Sequence, residues 1–350
     1  MKTAKRILAL LMALAMMLSL TVVMSSAKTT SRYKGKSLVV MGDSIAAGFG
    51  LDERVPKTTL TQGLVMPHGE FVKHSWPQVI RDRYGFSKTT SVNLSRNMWC
   101  STEFLRLLDP AFESELCEPE NALDQYISDY MMFPSEVLKP GDTLKLAKSI
   151  KSDIKKADVL VLALGSNDIM TYSICKPIMK PLYQVFGRTA AVALSAVTER
   201  EIKTLDSEEE VAKFLLGSLD LNLLPQDVAD STERFCEQYD RLLSIIYKLN
   251  PDVKVYSMGI TAPFRGLEII DGVDEVLLSQ LNEEVIVNVR NYMTKKSPYR
   301  NRTTYIEVGD VPGHDFHKVA DPLFLPEFIN DVHPTEEGHM TIANHLSAKM

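Results

Sequence analysis

The chain has 350 residues, of which 45% are hydrophobic and 24% are charged, and its formal net charge is −6. This composition is that of a globular protein, and it argues against a disordered chain or one that lies mostly within a membrane. The excess of acidic residues makes nucleic acid and anionic membrane surfaces poor partners, so we expect neither. A neutral or weakly charged substrate fits this composition better.

The N-terminus has the pattern of a secretory signal peptide. Basic residues at positions 2, 5 and 6 precede an apolar run over Ile7–Val23, and the small residues Ser25-Ser26-Ala27 follow. This pattern predicts cleavage after Ala27 and a secreted protein without a stable membrane anchor. The alternative is an uncleaved anchor, because the run approaches the roughly 17–25 residues that span a bilayer. Cleavage would remove three basic residues and no acid, which changes the net charge from −6 to −9.

The cysteines leave the oxidation state open. An exported protein can form disulfides, and four cysteines allow three pairings that the sequence does not separate, although buried thiols fit equally well. The four are Cys100, Cys117, Cys175 and Cys236. None lies in CxxC spacing, and no cysteine and histidine cluster has the spacing of a zinc site. We therefore predict neither a metal nor a cofactor.

Short apolar runs and helical spacings alternate along the chain. In chain order, the predicted elements are a strand at Lys36–Met41, a helix at Trp76–Tyr84 capped by Ser75, a strand at Thr89–Leu94, a helix at Ser101–Leu108, a strand at Val159–Leu164, a helix that ends at Leu249 before Asn250-Pro251, a strand at Val253–Met258, a helix at Val273–Thr294, a strand at Thr304–Val308 and a last helix capped by Thr335. The continuous apolar run Val159–Leu164 suits a central parallel strand that is covered on both faces.

This alternation predicts an α/β fold with a doubly wound, mostly parallel sheet of five strands. Residues 28–350 then form one domain. A stretch from about Ile169 to Asp230 has no strand signal, and we interpret it as a helical insertion. In such sheets the functional site lies at the carboxyl ends of the strands, so the turns after the strands are the places to examine.

Three of these turns contain residues that suit catalysis. Gly42-Asp43-Ser44 follows the first strand, Gly165-Ser166-Asn167-Asp168 follows the central strand, and Asn330-Asp331-Val332-His333-Pro334 precedes the last helix. Taken singly, each is explained as well by turn or capping chemistry. Their common place at one edge of one sheet indicates a shared site.

In this order and context, the three blocks resemble the SGNH (GDSL-type) hydrolase family. The first sequence block of the family is matched by GDSIAAGFG at Gly42–Gly50. Its third block, GxND, is matched by Gly165–Asp168, and its last block by His333-Pro334. The similarity extends to SWPQVIRDRYG, VNLSRNMWCSTEFL and LNPDVKVYSMGITAP. It covers the chain from about Lys36 to the C-terminus, apart from the insertion.

The resemblance implies a flavodoxin-like fold and a serine esterase of the carboxylesterase or lipase type. Ser44 would be the nucleophile and His333 the general base that activates it. Backbone N–H groups of Ser44 and Met98 and the side chain of Asn167 would hold the oxyanion. These roles agree with the needs of ester hydrolysis, in which a serine hydroxyl requires an adjacent base and donors already in place.

Two positions depart from the family pattern. Met98 stands where the second block normally has glycine, so the N–H remains but the freedom at positive φ is lost. Asn330 stands where the family has the aspartate three residues before the histidine. Asp331 is the nearest carboxylate, and we predict that it orients His333, with Asn330 or a backbone carbonyl as the alternatives.

These departures keep other functions open. The substrate could be a short-chain, glycan-linked or lipid ester, and a thioester would suit the same residues because a fold does not fix its substrate. The chain could also be a secreted glycan- or lipid-binding module on a catalytically impaired esterase scaffold. The intact Ser44, Asn167 and His333 favour an enzyme.

Overall fold

Five parallel strands form one sheet in the order β2-β1-β3-β4-β5. The strands are β1 Leu38–Gly42, β2 Val92–Asn93, β3 Val159–Ala163, β4 Lys254–Met258 and β5 Thr303–Ile306. The computed structural model describes residues 32–49, 51, 70–129, 140–177, 180, 222–264, 275–309 and 333–350. The sheet confirms the predicted fold class, and β3, which the sequence predicted to be central, lies in the middle of it.

Helices flank the sheet along the chain. They are α1 Ser44–Ala47, α2 Trp76–Arg83, α3 Ser101–Leu108, α4 Pro110–Leu116, α5 Ala122–Ile127, α6 Pro140–Lys156, α7 Ser166–Met170, α8 Leu224–Leu249, α9 Glu275–Asn291 and α10 Glu336–Ser347. Single π-helical turns extend α7 over Thr171–Cys175 and α9 over Tyr292–Lys296. Among the helices of the described ranges, none combines the length and the apolarity that crossing a bilayer requires.

The two faces of the sheet bury different residues of the same strands. Leu38 and Val40 of β1 pack in one cluster with α2 and α10, whereas Val39 and Met41 pack in the larger cluster with α3, α6, α8 and α9. Successive side chains of a strand point to opposite faces, so a strand covered on both sides must be apolar throughout. This explains why every residue of β1 is buried.

Helix boundaries follow the predicted caps. The Ser75 hydroxyl accepts the N–H of Gln78 at the start of α2, and the Thr335 hydroxyl accepts the N–H of Gly338 at the start of α10. The predicted strand Thr89–Leu94 is wrong in its first half. The residues from Ser87 to Thr90 form a turn, in which the Ser87 hydroxyl accepts the N–H of Thr90, and the strand is only Val92–Asn93.

Several predictions concern residues that the structure leaves undescribed. The predicted signal peptide at residues 1–27 lies outside the described residues, as does most of the predicted insertion at 169–230. The described ends of that insertion are helical, because it begins within α7 and ends within α8. Cys100 and Cys236 are buried thiols without a disulfide.

Candidate active site

Ser44 lies in a tight turn at the carboxyl end of β1. Asp43 is the N-cap of α1, and its carboxylate accepts the N–H of Ile45 at 3.0 Å. Ser44 is the first residue of that helix and is half-buried. Gly42 allows the turn, because a Cβ there would lie 2.5 Å from the Cβ of Ala46 and 2.9 Å from the carbonyl oxygen of Ala163.

The loop after β2 runs directly against this turn. The N–H of Arg96 donates to the carbonyl of Gly42 at 3.2 Å, and the side-chain amide of Asn93 donates to the carbonyl of Ala46 at 2.8 Å. Within this loop Met98 has a φ of +64°, in the left-handed region that favours glycine. Residue 98 therefore has a backbone conformation that favours glycine, although the residue is methionine.

Asn167 reaches the same loop from β3. Gly165 turns the chain with a φ of +127°, and a Cβ there would lie 2.8 Å from atoms of Ile260 and Phe235. Asn167 follows in the first turn of α7 and is buried. Its side-chain amide donates to the carbonyl of Trp99 at 3.3 Å, which places it beside Met98.

His333 lies against the segment that begins at Ser44. Its ring centroid is 4.5 Å from that of Phe49, and the two rings are tilted by 44°. The backbone N–H of Phe49 donates to the carbonyl of Ser44 at 3.1 Å, so the two residues belong to one compact turn. The site therefore gathers at the carboxyl ends of β1 and β3, where the strand order of this sheet type reverses.

Asp43 supplies a buried carboxyl group beside these residues. Burial raises the pKa of Asp43 to about 6, while the N–H of Ile45 and the positive charge of His333 lower it. A positive charge on His333 therefore favours the ionised form of Asp43. Asp331 and Asn330 lie outside the described residues, so the orienting partner of His333 stays a prediction.

A buried polar network lies next to Asn167, and most of its contacts are not evident from the sequence. Asp168 accepts the backbone N–H of Ser101 at 2.9 Å and also the Ser101 hydroxyl, which ties α7 to the start of α3. Glu103 accepts the N–H of Cys100 at 2.7 Å and the hydroxyl of Ser128 at 2.6 Å. Burial raises the pKa of Asp168 to about 6 and that of Glu103 to about 7.

The spacing of Cys100 and Glu103 does predict one of these hydrogen bonds, the one from the Cys100 N–H to the Glu103 carboxylate. A glutamate three residues after an N-cap commonly bonds back to the N-cap N–H. No comparable local pattern announces the contact between Ser101 and Asp168, which are 67 positions apart.

The remaining described histidines lie apart from this edge or have structural contacts. His339 is buried on α10, where its Nδ1 accepts the N–H of Trp76 at 3.3 Å, and His74 lies 3.6 Å from the Glu336 carboxylate. No three His, Cys, Asp or Glu side chains of the described part are grouped as metal ligands would be.

The chain is similar to solved structures of lipases and esterases. The chain is similar to phospholipase A1 from Streptomyces albidoflavus NA297, at 12% identity over 90% of this chain and 100% of that chain with a TM-score of 0.47. It is similar to an extracellular lipase from Streptomyces rimosus, at 13% identity over 88% and 98% of the two chains with a TM-score of 0.43.

A family two carbohydrate esterase from Clostridium thermocellum in complex with cellohexaose is also similar, at 14% identity over 91% of this chain and 64% of that chain with a TM-score of 0.36. No curated protein matches the sequence. The model of the GDSL-like lipase/acylhydrolase family matches residues 38–346, which include every described element of the sheet. The chain belongs to the GDSL-like lipase/acylhydrolase family, and it is a hydrolase of ester bonds.

Proposed function

We propose that this enzyme is a secreted serine carboxylesterase that uses Ser44 and His333. The observation that carries the proposal is the contact of the His333 ring with Phe49, in the turn that begins at Ser44. A nucleophile and a base at one sheet edge, with polar donors on the neighbouring loop, are the parts that acyl transfer requires.

The reaction proceeds in two steps. His333 takes the Ser44 proton while the serine oxygen attacks the ester carbonyl, and the C–O bond to the alcohol breaks as His333 returns the proton to the leaving oxygen. Water then attacks the acyl-enzyme with His333 again as base, which releases the acid and restores Ser44. The N–H groups of Ser44 and Met98 and the amide of Asn167 hold the oxyanion in both steps.

Asp331 orients His333 in this proposal. The ring nitrogen that faces Ser44 must be bare, so the other nitrogen carries the proton and needs an acceptor. A carboxylate there also stabilises the imidazolium that forms during attack. No cofactor takes part.

We also propose that the insertion from Ile169 to Asp230 forms a helical cap over the site and that its apolar residues line an acyl pocket; the alternative is that these residues only pack the insertion onto the sheet. The insertion leaves directly from α7, whose Asn167 is an oxyanion donor, so it starts at the active edge. Its apolar residues Leu182, Val185, Phe186, Leu215 and Leu216 lie outside the described residues. A deletion of the insertion that preserves folding should change the preferred acyl length, and an unchanged preference contradicts the cap.

A fluorophosphonate probe and a panel of p-nitrophenyl esters from acetyl to palmitoyl test the proposed function. The wild type should label and hydrolyse the esters, Ser44→Ala should do neither while it stays folded, and the exposed Ser114→Ala on α4 should behave as wild type. Turnover by folded Ser44→Ala would disprove the nucleophile. A folded wild type that neither labels nor hydrolyses would favour the binding module, and faster hydrolysis of thioesters would favour a thioesterase.

A further inference from the structure

Arg96 is fixed in the loop that carries Met98. Its N–H donates to the carbonyl of Gly42 at 3.2 Å, and its carbonyl accepts the N–H of Trp99 at 3.4 Å. The Arg96 backbone therefore lies between the Ser44 turn and the residue that receives the Asn167 amide. Nothing in the reaction described above uses the Arg96 side chain.

Arg96 is half-buried, and its guanidinium lacks a polar partner among the described residues. Its Nε is inaccessible to solvent and makes no hydrogen bond, and no described carboxylate forms an ion pair with it. Burial alone lowers the pKa of Arg96. Its Cζ lies 5.1 Å from the centre of the Trp99 ring, so a cation–π contact is its one recorded side-chain interaction with the described residues.

Two other half-buried arginines, in contrast, have carboxylate partners. Arg106 contacts Glu113 at 2.6 Å, and Arg234 contacts Asp124 at 2.8 Å. A desolvated cation without such a partner costs free energy, and a cation–π contact offsets only part of that cost. The adjacent Ser95 adds a second unused donor, because its buried hydroxyl also has no hydrogen-bond partner in the described part of the chain.

We propose that Arg96 and Ser95 form a subsite for an anionic group, a carboxylate or a phosphate, carried by the ester that Ser44 attacks. This inference rests on the proposed function and narrows its substrate class. A guanidinium presents its donors in a planar fork that matches both kinds of anion. The negative net charge of the chain opposes anion binding only weakly, because distant charges are screened beyond about 10 Å.

Paired substrates test the subsite. The neutral ester is 4-nitrophenyl butyrate, and the anionic ester is mono-4-nitrophenyl glutarate. Wild type should prefer the anionic ester in kcat/KM, and Arg96→Met should lower that value about 10- to 100-fold while the neutral ester changes less than about threefold. Arg96→Lys should lie between, because an ammonium keeps the charge without the fork. The control Arg302→Met removes an arginine over the Tyr247 ring, at the opposite edge of the sheet, and should match wild type.

Binding measurements separate the anion type and the two proposals. Inhibition of butyrate ester hydrolysis by glutarate points to a carboxylate, and inhibition by inorganic phosphate points to a phosphate. Equal effects of Arg96→Met on both esters, or no inhibition of wild type by either anion, would overturn the subsite. If no ester is hydrolysed, the proposed function fails, and the subsite is tested by the Tm instead. Glutarate or inorganic phosphate should then raise the Tm of wild type more than that of Arg96→Lys. Equal Tm shifts in the two proteins would overturn the subsite.

Discussion

The Phe49 ring lies 4.5 Å from the His333 ring, and the Phe49 N–H bonds to the carbonyl of Ser44. The segment that begins at Ser44, the proposed nucleophile, therefore also contacts His333, the proposed base. Phe49 is half-buried and packs with Ala47 and Val72, which hold it in place. Ser44 and His333 are thus linked through the Phe49 ring and a turn of six residues.

Phe49→Ala should lower kcat by about 10- to 100-fold, because a small displacement of a base is sufficient for such a loss. Phe49→Tyr keeps the ring and should retain most of the activity. Initial rates with 4-nitrophenyl butyrate check this, with circular dichroism as the test of folding. Phe71→Ala removes another half-buried ring, which lies under Arg81, and serves as the control. An unchanged kcat in folded Phe49→Ala would show that the ring does not position His333.

The left-handed conformation of Met98 predicts an unusual order of stability. Met98→Gly and Met98→Ala both remove the methionine side chain beyond Cβ. Only glycine, which also lacks Cβ, adopts a φ of +64° without steric cost. We expect Met98→Gly to be more stable than Met98→Ala by about 1 kcal/mol in urea unfolding, although glycine ordinarily destabilises a fixed backbone. Both variants keep the N–H and should keep kcat within about tenfold of wild type. A more stable alanine variant would contradict a left-handed residue 98.

The sequence was sufficient for the elements whose signals are local. β1 and β3 are short apolar runs, and the doubly covered β3 was the clearest because both of its faces are buried. Ser44 and Asn167 could be assigned to one edge because each follows such a strand. Turn chemistry at Ser87 shortened β2, since a side-chain hydrogen bond competes with the strand.

The remaining features depend on contacts between distant residues. Methionine does not signal positive φ, so the conformation of Met98 could not be read from its identity. The burial of Arg96 depends on how the loop packs against Trp99, and the contact of Phe49 with His333 joins positions 284 residues apart. No periodicity or spacing encodes these relations.

The buried carboxyl groups predict that stability falls as pH rises. Burial raises the pKa of Asp43 and Asp168 from 3.8 to about 6 and that of Glu103 from 4.5 to about 7. At a pH between the unfolded-state and the native-state pKa of such a group, the native state binds more protons than the unfolded state. The free energy of unfolding therefore decreases as pH rises from about 4 to 7. Their contribution is complete below pH 4 and lost above pH 7.

Glu103→Gln tests the sign of this effect. The amide cannot ionise, so the substitution should destabilise less at pH 7.5 than at pH 5 and should flatten the slope between them. Urea unfolding across this pH series measures both quantities. Glu283→Gln on the exposed face of α9 should leave the wild-type slope unchanged. A cost of Glu103→Gln that grows with pH would reverse the assignment.

The last prediction concerns the acceptor that orients His333. Asn330 holds the family position, but its amide oxygen is neutral, whereas Asp331 can both accept the ring proton and stabilise the imidazolium. In an extended loop, residues two apart point the same way, which favours contact between Asp331 and His333. Asp331→Asn should therefore lower kcat by roughly 100-fold or more, and Asn330→Ala should change it little. Asp43→Asn is the informative comparison, because the amide oxygen can still accept the N–H of Ile45 while the charge coupled to His333 is lost. We expect a smaller loss of kcat in Asp43→Asn than in Asp331→Asn, with all three variants checked for folding.

Two outcomes would contradict the assignment of Asp331. A near wild-type kcat in Asp331→Asn together with a large loss in Asn330→Ala would make Asn330 the orienting residue. The largest loss of kcat in Asp43→Asn would place the stabilising charge at the cap of α1.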